Sequence, residues 1–231
     1  MKIISLRSLP RARTKALSWW IERGFLTVGL VALGLWCAVS LNTYVFQQRE
    51  RANLAQVLSS SHKPPEKLRS PIKDGDFIGE IDIPKLDLSA IILEGSDERS
   101  LRLGVGHIQG TALPGDLGNV SLAAHRDTFF RPLRKIRKND EIHLITFDNS
   151  YRYRVDWARV VRSNNVNVLK PSQEPTLTLI TCFPFYFVGS APERFVVRAH
   201  KEPMQETHED QHSQVALSGA VKSGALRRSQ D

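Results

Sequence analysis

The stretch from Pro175 to Cys182, PTLTLITC, decides how the chain is read. Thr, Leu and Ile fill it, and a period of two sets Thr178, Ile180 and Cys182 on one face and Leu177, Leu179 and Thr181 on the other. The pattern predicts a strand that ends on a thiol. A second strand-like run, RFVVRAH from Arg194 to His200, follows a connection rich in aromatics, Pro and Gly. Upstream, NVSLAAH from Asn119 to His125 ends on a histidine. Cysteine, histidine and arginine thus each sit at a predicted strand terminus, where a scaffold can aim side chains into one groove without burying them.

Further out, FIGEIDI (77–83), LSAIIL (88–93), EIHLITF (141–147) and YRYRVDWARVV (151–161) read as strands bounded by turn signals. Seven or eight short strands with few helices predict a mainly β domain, a closed or nearly closed barrel. The Gly-rich stretch from Ser100 to Pro114 is expected to be irregular or briefly helical. From Thr128 to Lys138 a helical turn is expected on each side of Pro132.

The blocks TLITCFPFYFVGSAPERFVVRA, LAAHRDTFFRPL and ALPGDLGN resemble the signature segments of sortases, the membrane-anchored cysteine transpeptidases of bacterial surfaces, and resemble the class D and E branch most. The resemblance runs from about Asp76 to Lys201. Two departures stand beside the site: Ala124 where these enzymes commonly carry Gly, and Phe183 where Tyr often follows the cysteine. The resemblance implies a sortase-like barrel in which Cys182 is the nucleophile, His125 the general acid and base, and Arg194 the group that stabilises oxyanion and substrate. Thr181, beside the cysteine, is a substrate-binding candidate, and His107 is an accessory one because its Gly-rich segment can line the same groove. The resemblance further implies cleavage of an LPxTG-like sorting signal on surface or pilin proteins, a thioacyl intermediate on Cys182, and transfer to an amine of a cell-wall precursor, to a pilin lysine or to water.

These residue types suit acyl transfer. Thiolate is the attacking form of cysteine, imidazole can hand a proton to the leaving amine and later take one from the incoming amine, and a guanidinium donates charge-assisted hydrogen bonds but cannot act as a base. The competing reading, a catalytically silent sortase-like module that binds peptides or proteins, predicts a Cys182 no more reactive than a denatured thiol.

The N-terminal quarter has a different character. Phe25 to Phe46 holds 22 residues without a charge, enough for a helix of about 33 Å against a hydrocarbon core of about 30 Å. Six bases (Lys2, Arg7, Arg11, Arg13, Lys15, Arg23) precede it and only Arg49 and Arg51 closely follow, which predicts a cytoplasmic N-terminus and an extracytoplasmic domain. A cleavable signal peptide ending near Ala38-Val39-Ser40 is the rival reading; the apolar run continuing to Phe46 favours an anchor. The expected organisation is a basic N-terminus (1–24), a transmembrane helix (25–46), a juxtamembrane linker broken by Pro64, Pro65 and Pro71 (47–75), the barrel (76–201) and a polar, disordered tail (202–231).

Of the net charge of +8, residues 1–24 supply +5 through six bases and one acid, which leaves a nearly balanced domain and argues against nucleic acid. Arg131, Arg134, Lys135, Arg137 and Lys138 form one basic run, read either as a solvated turn or as a patch facing anionic lipid or wall polymer. Cys37 lies inside the apolar helix and cannot easily meet Cys182, so no disulfide is expected.

His208 to His212 fits the HExxH zinc pattern, but a polar tail cannot fix ligand geometry. Gly104, Gly106 and Gly110 miss the dinucleotide fingerprint by one residue and lack a βαβ setting. Neither a cofactor nor a metal is expected.

Overall fold

The computed structural model describes residues 11–59, 72–187 and 189–203. Eight strands close into a barrel: β1 (Phe77–Ile83), β2 (Leu88–Glu94), β3 (Val105–His107), β4 (Asn119–Ala123), β5 (Glu141–Thr146), β6 (Ser150–Arg162), β7 (Thr176–Phe183) and β8 (Glu193–Lys201). Around the barrel their order is β1-β2-β3-β4-β7-β8-β6-β5. The pairs β2–β3 and β4–β7 are parallel and the others antiparallel. This is the closed barrel that the short alternating runs predict, and closure leaves no strand edge unpaired.

Period-two alternation fills the interior. Ile81 and Ile83 of β1, Leu122 of β4, Leu177 and Leu179 of β7 and Val197 of β8 are all fully buried in one apolar cluster. At about 1.5–3 kcal/mol for each large apolar side chain removed from water, this core dominates the stability of the domain.

One strand was not expected. β3 lies inside the Gly-rich stretch, where a three-residue strand without a long apolar run gives no periodic signal. The glycines permit it: a Cβ at Gly104 would stand 2.7 Å from the Ile91 carbonyl oxygen, and one at Gly106 would stand 2.4 Å from that of Gly95. Close approach to β2 at Gly104 and to the turn after β2 at Gly106 accounts for these two glycines. The crossover between β2 and β3 is α2 (Glu98–Leu103), capped by Asp97, whose carboxylate accepts from the Arg99 and Ser100 amides. Between β4 and β5, the two helical turns expected around Pro132 are a single 3-10 segment, Arg131–Lys135. Pro132 sits in its first turn, where a missing N–H costs nothing, and fully buried Leu133 anchors it.

Helix α1 runs unbroken from Arg11 to Ser59. Its apolar stretch is long enough to cross a membrane, and Phe25, Leu30, Leu35 and Leu41 are exposed along it. Beyond Phe46 the same helix turns inward to the barrel. The Gln47 amide donates to the Leu103 carbonyl (2.6 Å) and accepts from the Ile91 N–H (3.1 Å), Arg51 pairs with Glu80 at 3.0 Å, and Leu54 is buried. Residues 60–71 of the expected linker and 204–231 of the expected tail, including His208 and His212, lie outside the described residues.

Candidate active site

β7 places Cys182 one residue before its end, half-buried. β8 runs antiparallel beside it with Arg194 directly opposite Cys182, so the two side chains rise from one face with Cβ atoms about 4.5–5.5 Å apart. On the other flank β4 runs parallel to β7, with Ala123 opposite Ile180. Pairing continues one residue past β4, where the Ala124 N–H donates to the Ile180 carbonyl at 3.2 Å. His125 is therefore delivered at the level of Cys182. Three adjacent strand ends bring together the three residues that the sequence sets at strand termini.

The hydrogen bonds around them differ. Among the described residues, neither the Cys182 thiol nor the His125 ring has a hydrogen-bond partner, so each is uncommitted. Arg194 gives one nitrogen, Nη1, to the carbonyls of Ala191 (3.1 Å) and Glu193 (2.9 Å), leaving Nε and Nη2 without a protein partner among the described residues. One arm of the guanidinium is braced and the other can donate.

Thr181 and His107 are placed otherwise than expected for residues contacting a peptide. Thr181 is 2% exposed, and its hydroxyl donates to the Ala124 carbonyl at 2.7 Å. With the Ala124 N–H bond to Ile180, this fixes both backbone groups of Ala124, the residue before His125. His107 is also 2% exposed, with Nδ1 2.8 Å from Glu94 and Nε2 3.0 Å from the Ala112 carbonyl. Both nitrogens are spent inside the wall. Ala124 is buried in the core cluster, so the methyl group that replaces glycine's hydrogen is packed rather than in the way.

Further residues brace the same strands at their other ends, away from Cys182. Asn119 is buried: its amide donates to the carbonyls of Val168 (3.0 Å) and Lys170 (3.3 Å), while its oxygen accepts from the Thr178 hydroxyl at 2.6 Å. It ties β4, β7 and the β6–β7 connection into one body. Arg198 donates to Thr176 and Val168, and its burial pushes the guanidinium pKa down from its ordinary value. After Cys182 the chain is held by aromatic packing, with Phe185 between Phe183 (6.0 Å between centroids) and Phe195 (5.3 Å). Arg126 and Arg134 reach this connection from the β4–β5 side. Sequence reading passed over both: one lay inside a motif centred on its histidine, the other inside a run of surface charge.

The barrel and the sequence both have counterparts among known proteins. The family profile of the sortase domain matches residues 81–202. The chain is 28% identical over 183 residues to Sortase D of Bacillus subtilis (strain 168), covering 74% of this chain and 92% of that protein. Among solved structures, a Clostridium perfringens Sortase D5 transpeptidase superposes with a TM-score of 0.61 at 29% identity, over 69% of this chain and 99% of that one. The pilus-related Sortase C of Group B Streptococcus gives 0.52 at 29% identity, over 68% and 89%. A profile spanning more than half the chain, the same barrel and strand ends that converge on cysteine, histidine and arginine lead to one conclusion: the chain belongs to the sortase family.

Proposed function

We propose that this sortase is a single-pass membrane enzyme with its barrel outside the cytoplasm, and that it cleaves an LPxTG-like sorting signal by covalent catalysis at Cys182. The observation that carries the reading is the register of β4, β7 and β8, which sets an uncommitted thiol between an uncommitted imidazole and a half-braced guanidinium. The thiolate of Cys182 attacks the carbonyl carbon of the Thr residue. The carbonyl oxygen becomes an oxyanion, and Arg194 stabilises it through the nitrogens not held by Ala191 and Glu193. His125 as imidazolium protonates the leaving Gly amine, the C–N bond breaks, and a thioester remains on Cys182. An incoming amine, from a cell-wall precursor or a pilin lysine, loses its proton to His125 as it attacks, and the thiolate leaves. Water in place of the amine gives hydrolysis.

Mass spectrometry of the purified full chain, incubated with LPxTG-like peptides with and without an amine, tests this. A peptide-sized adduct on Cys182 that disappears when amine is added is the expected result. The variant Cys182→Ala should form neither adduct nor product while remaining folded, and turnover in that variant would end the cysteine mechanism.

A further inference from the structure

The connection between β7 and β8 starts after Phe183, one residue past Cys182, and carries carbonyl groups that no strand satisfies. One side chain meets three of them. Arg126 Nη1 donates to the Pro184 carbonyl at 3.2 Å, and Nη2 donates to Phe187 at 2.6 Å and Gly189 at 2.9 Å. The guanidinium carbon also lies 5.8 Å from the Phe187 ring centroid. Arg126 immediately follows His125, and the Phe130 N–H donates back to the His125 carbonyl at 3.2 Å, closing the turn that holds both residues. A single guanidinium therefore ties the segment bearing the histidine to the segment that leaves the cysteine. Arg134 adds a second tie from the same side, donating to the Tyr186 hydroxyl.

We propose that Arg126 is a positioning residue for acyl transfer: by clasping the β7–β8 connection against the His125 turn, it fixes the imidazole relative to the thiol and closes one wall of the groove. The proposal rests on the reading of Cys182 and His125 given above. The chemistry of arginine is needed. A planar fork presents several donors in fixed directions, whereas an ammonium on a flexible stem cannot serve three carbonyls and stack on a ring at once. Misplacement of a catalytic group by about 1 Å can cost about 10²-fold in rate, so a clasp that never touches substrate can act mainly on kcat.

The test compares Arg126→Ala and Arg126→Lys with the parent in the full-length chain. It reads thermal melting, hydrogen exchange of residues 183–192, kcat and KM for an LPxTG-like peptide with an amine, and the pH profile of Cys182 alkylation by iodoacetamide. Expected are melting within a few degrees of the parent, faster exchange of the connection, kcat lower by about 10- to 100-fold with KM nearly unchanged, and an altered alkylation profile. Lysine should recover little, whereas added methylguanidinium should restore part of kcat in Arg126→Ala. Parental kcat in Arg126→Ala overturns the proposal. Activity that falls only in step with the folded fraction, in either variant, makes the residue purely structural and also overturns it. If the parent acylates no peptide, the transpeptidase reading fails by itself; exchange and alkylation then still decide whether Arg126 positions the connection and the thiol.

Discussion

Two histidines, His107 and His125, end similar β runs in this barrel yet meet different surroundings. Each closes a short β run after a small residue, VGH in one case and LAAH in the other. His107 is enclosed between β2 and the β3–β4 connection, and Glu94 and Ala112 occupy both of its nitrogens. His125 stands beyond the last pair of β4, half-buried, with neither nitrogen engaged among the described residues. A proton shuttle needs a nitrogen that the fold has not used. Removing a buried histidine whose nitrogens are both engaged leaves its buried partners without their hydrogen bonds.

The contrast breaks most sharply at His125. Its replacement by alanine should lower kcat by about 10² to 10⁴-fold with melting unchanged, as read by steady-state transpeptidation beside a thermal scan. His107→Ala should do the reverse, destabilising the fold by about 1–3 kcal/mol in urea titration while the folded fraction keeps its kcat. A rate loss at His107 larger than that at His125 would exchange the two roles.

Arg194 sharpens the same idea, because it is half-committed. Arg194→Lys keeps the charge and loses the fork, so kcat and kcat/KM should fall together by about 10² to 10³-fold. Wild-type kinetics in that variant would make Arg194 a surface residue at a strand end.

The smallest effect belongs to carboxylates held far from the groove. A hydrogen bond from Arg154 Nε, 2.5 Å from Glu202, holds the Glu202 carboxyl below its ordinary range, and the Ser100 hydroxyl does the same for Asp97. A depressed folded pKa stabilises at pH above the unfolded value of about 4 and loses that contribution as pH falls through the folded value. The melting temperature should therefore decline as pH drops below about 4, and Glu202→Gln should flatten part of that slope. An unchanged slope in Glu202→Gln would remove this residue from the acid response.

Much of this was legible in the sequence because the relevant signals are local. Alternation along PTLTLITC and RFVVRAH marks β7 and β8, and strand ends are visible wherever alternation stops. What escaped depends on pairs distant in sequence. β3 is too short to show a period, and Gly104 and Gly106 let it lie close against β2 and the turn that follows β2. The hydroxyl of Thr181 looks like a substrate contact until β4 is known to run beside β7 and to present the Ala124 carbonyl. Arg126 meets Pro184, Phe187 and Gly189 across a separation of about sixty residues, which no spacing rule reports.

Gln47 lies one residue past the apolar stretch of α1, and its amide grips Ile91 and Leu103. What those two bonds remove is orientational freedom. For the anchored enzyme proposed above, a barrel on a loose tether would present its groove at every bearing, whereas one clamped to the extension of its own span keeps one bearing and one height over the bilayer. Encounter with another polypeptide tethered in the same membrane then becomes a lateral search in two dimensions. Its rate is set by in-plane density rather than by free tumbling, and effective concentration is highest for chains whose tether reaches the height of the groove.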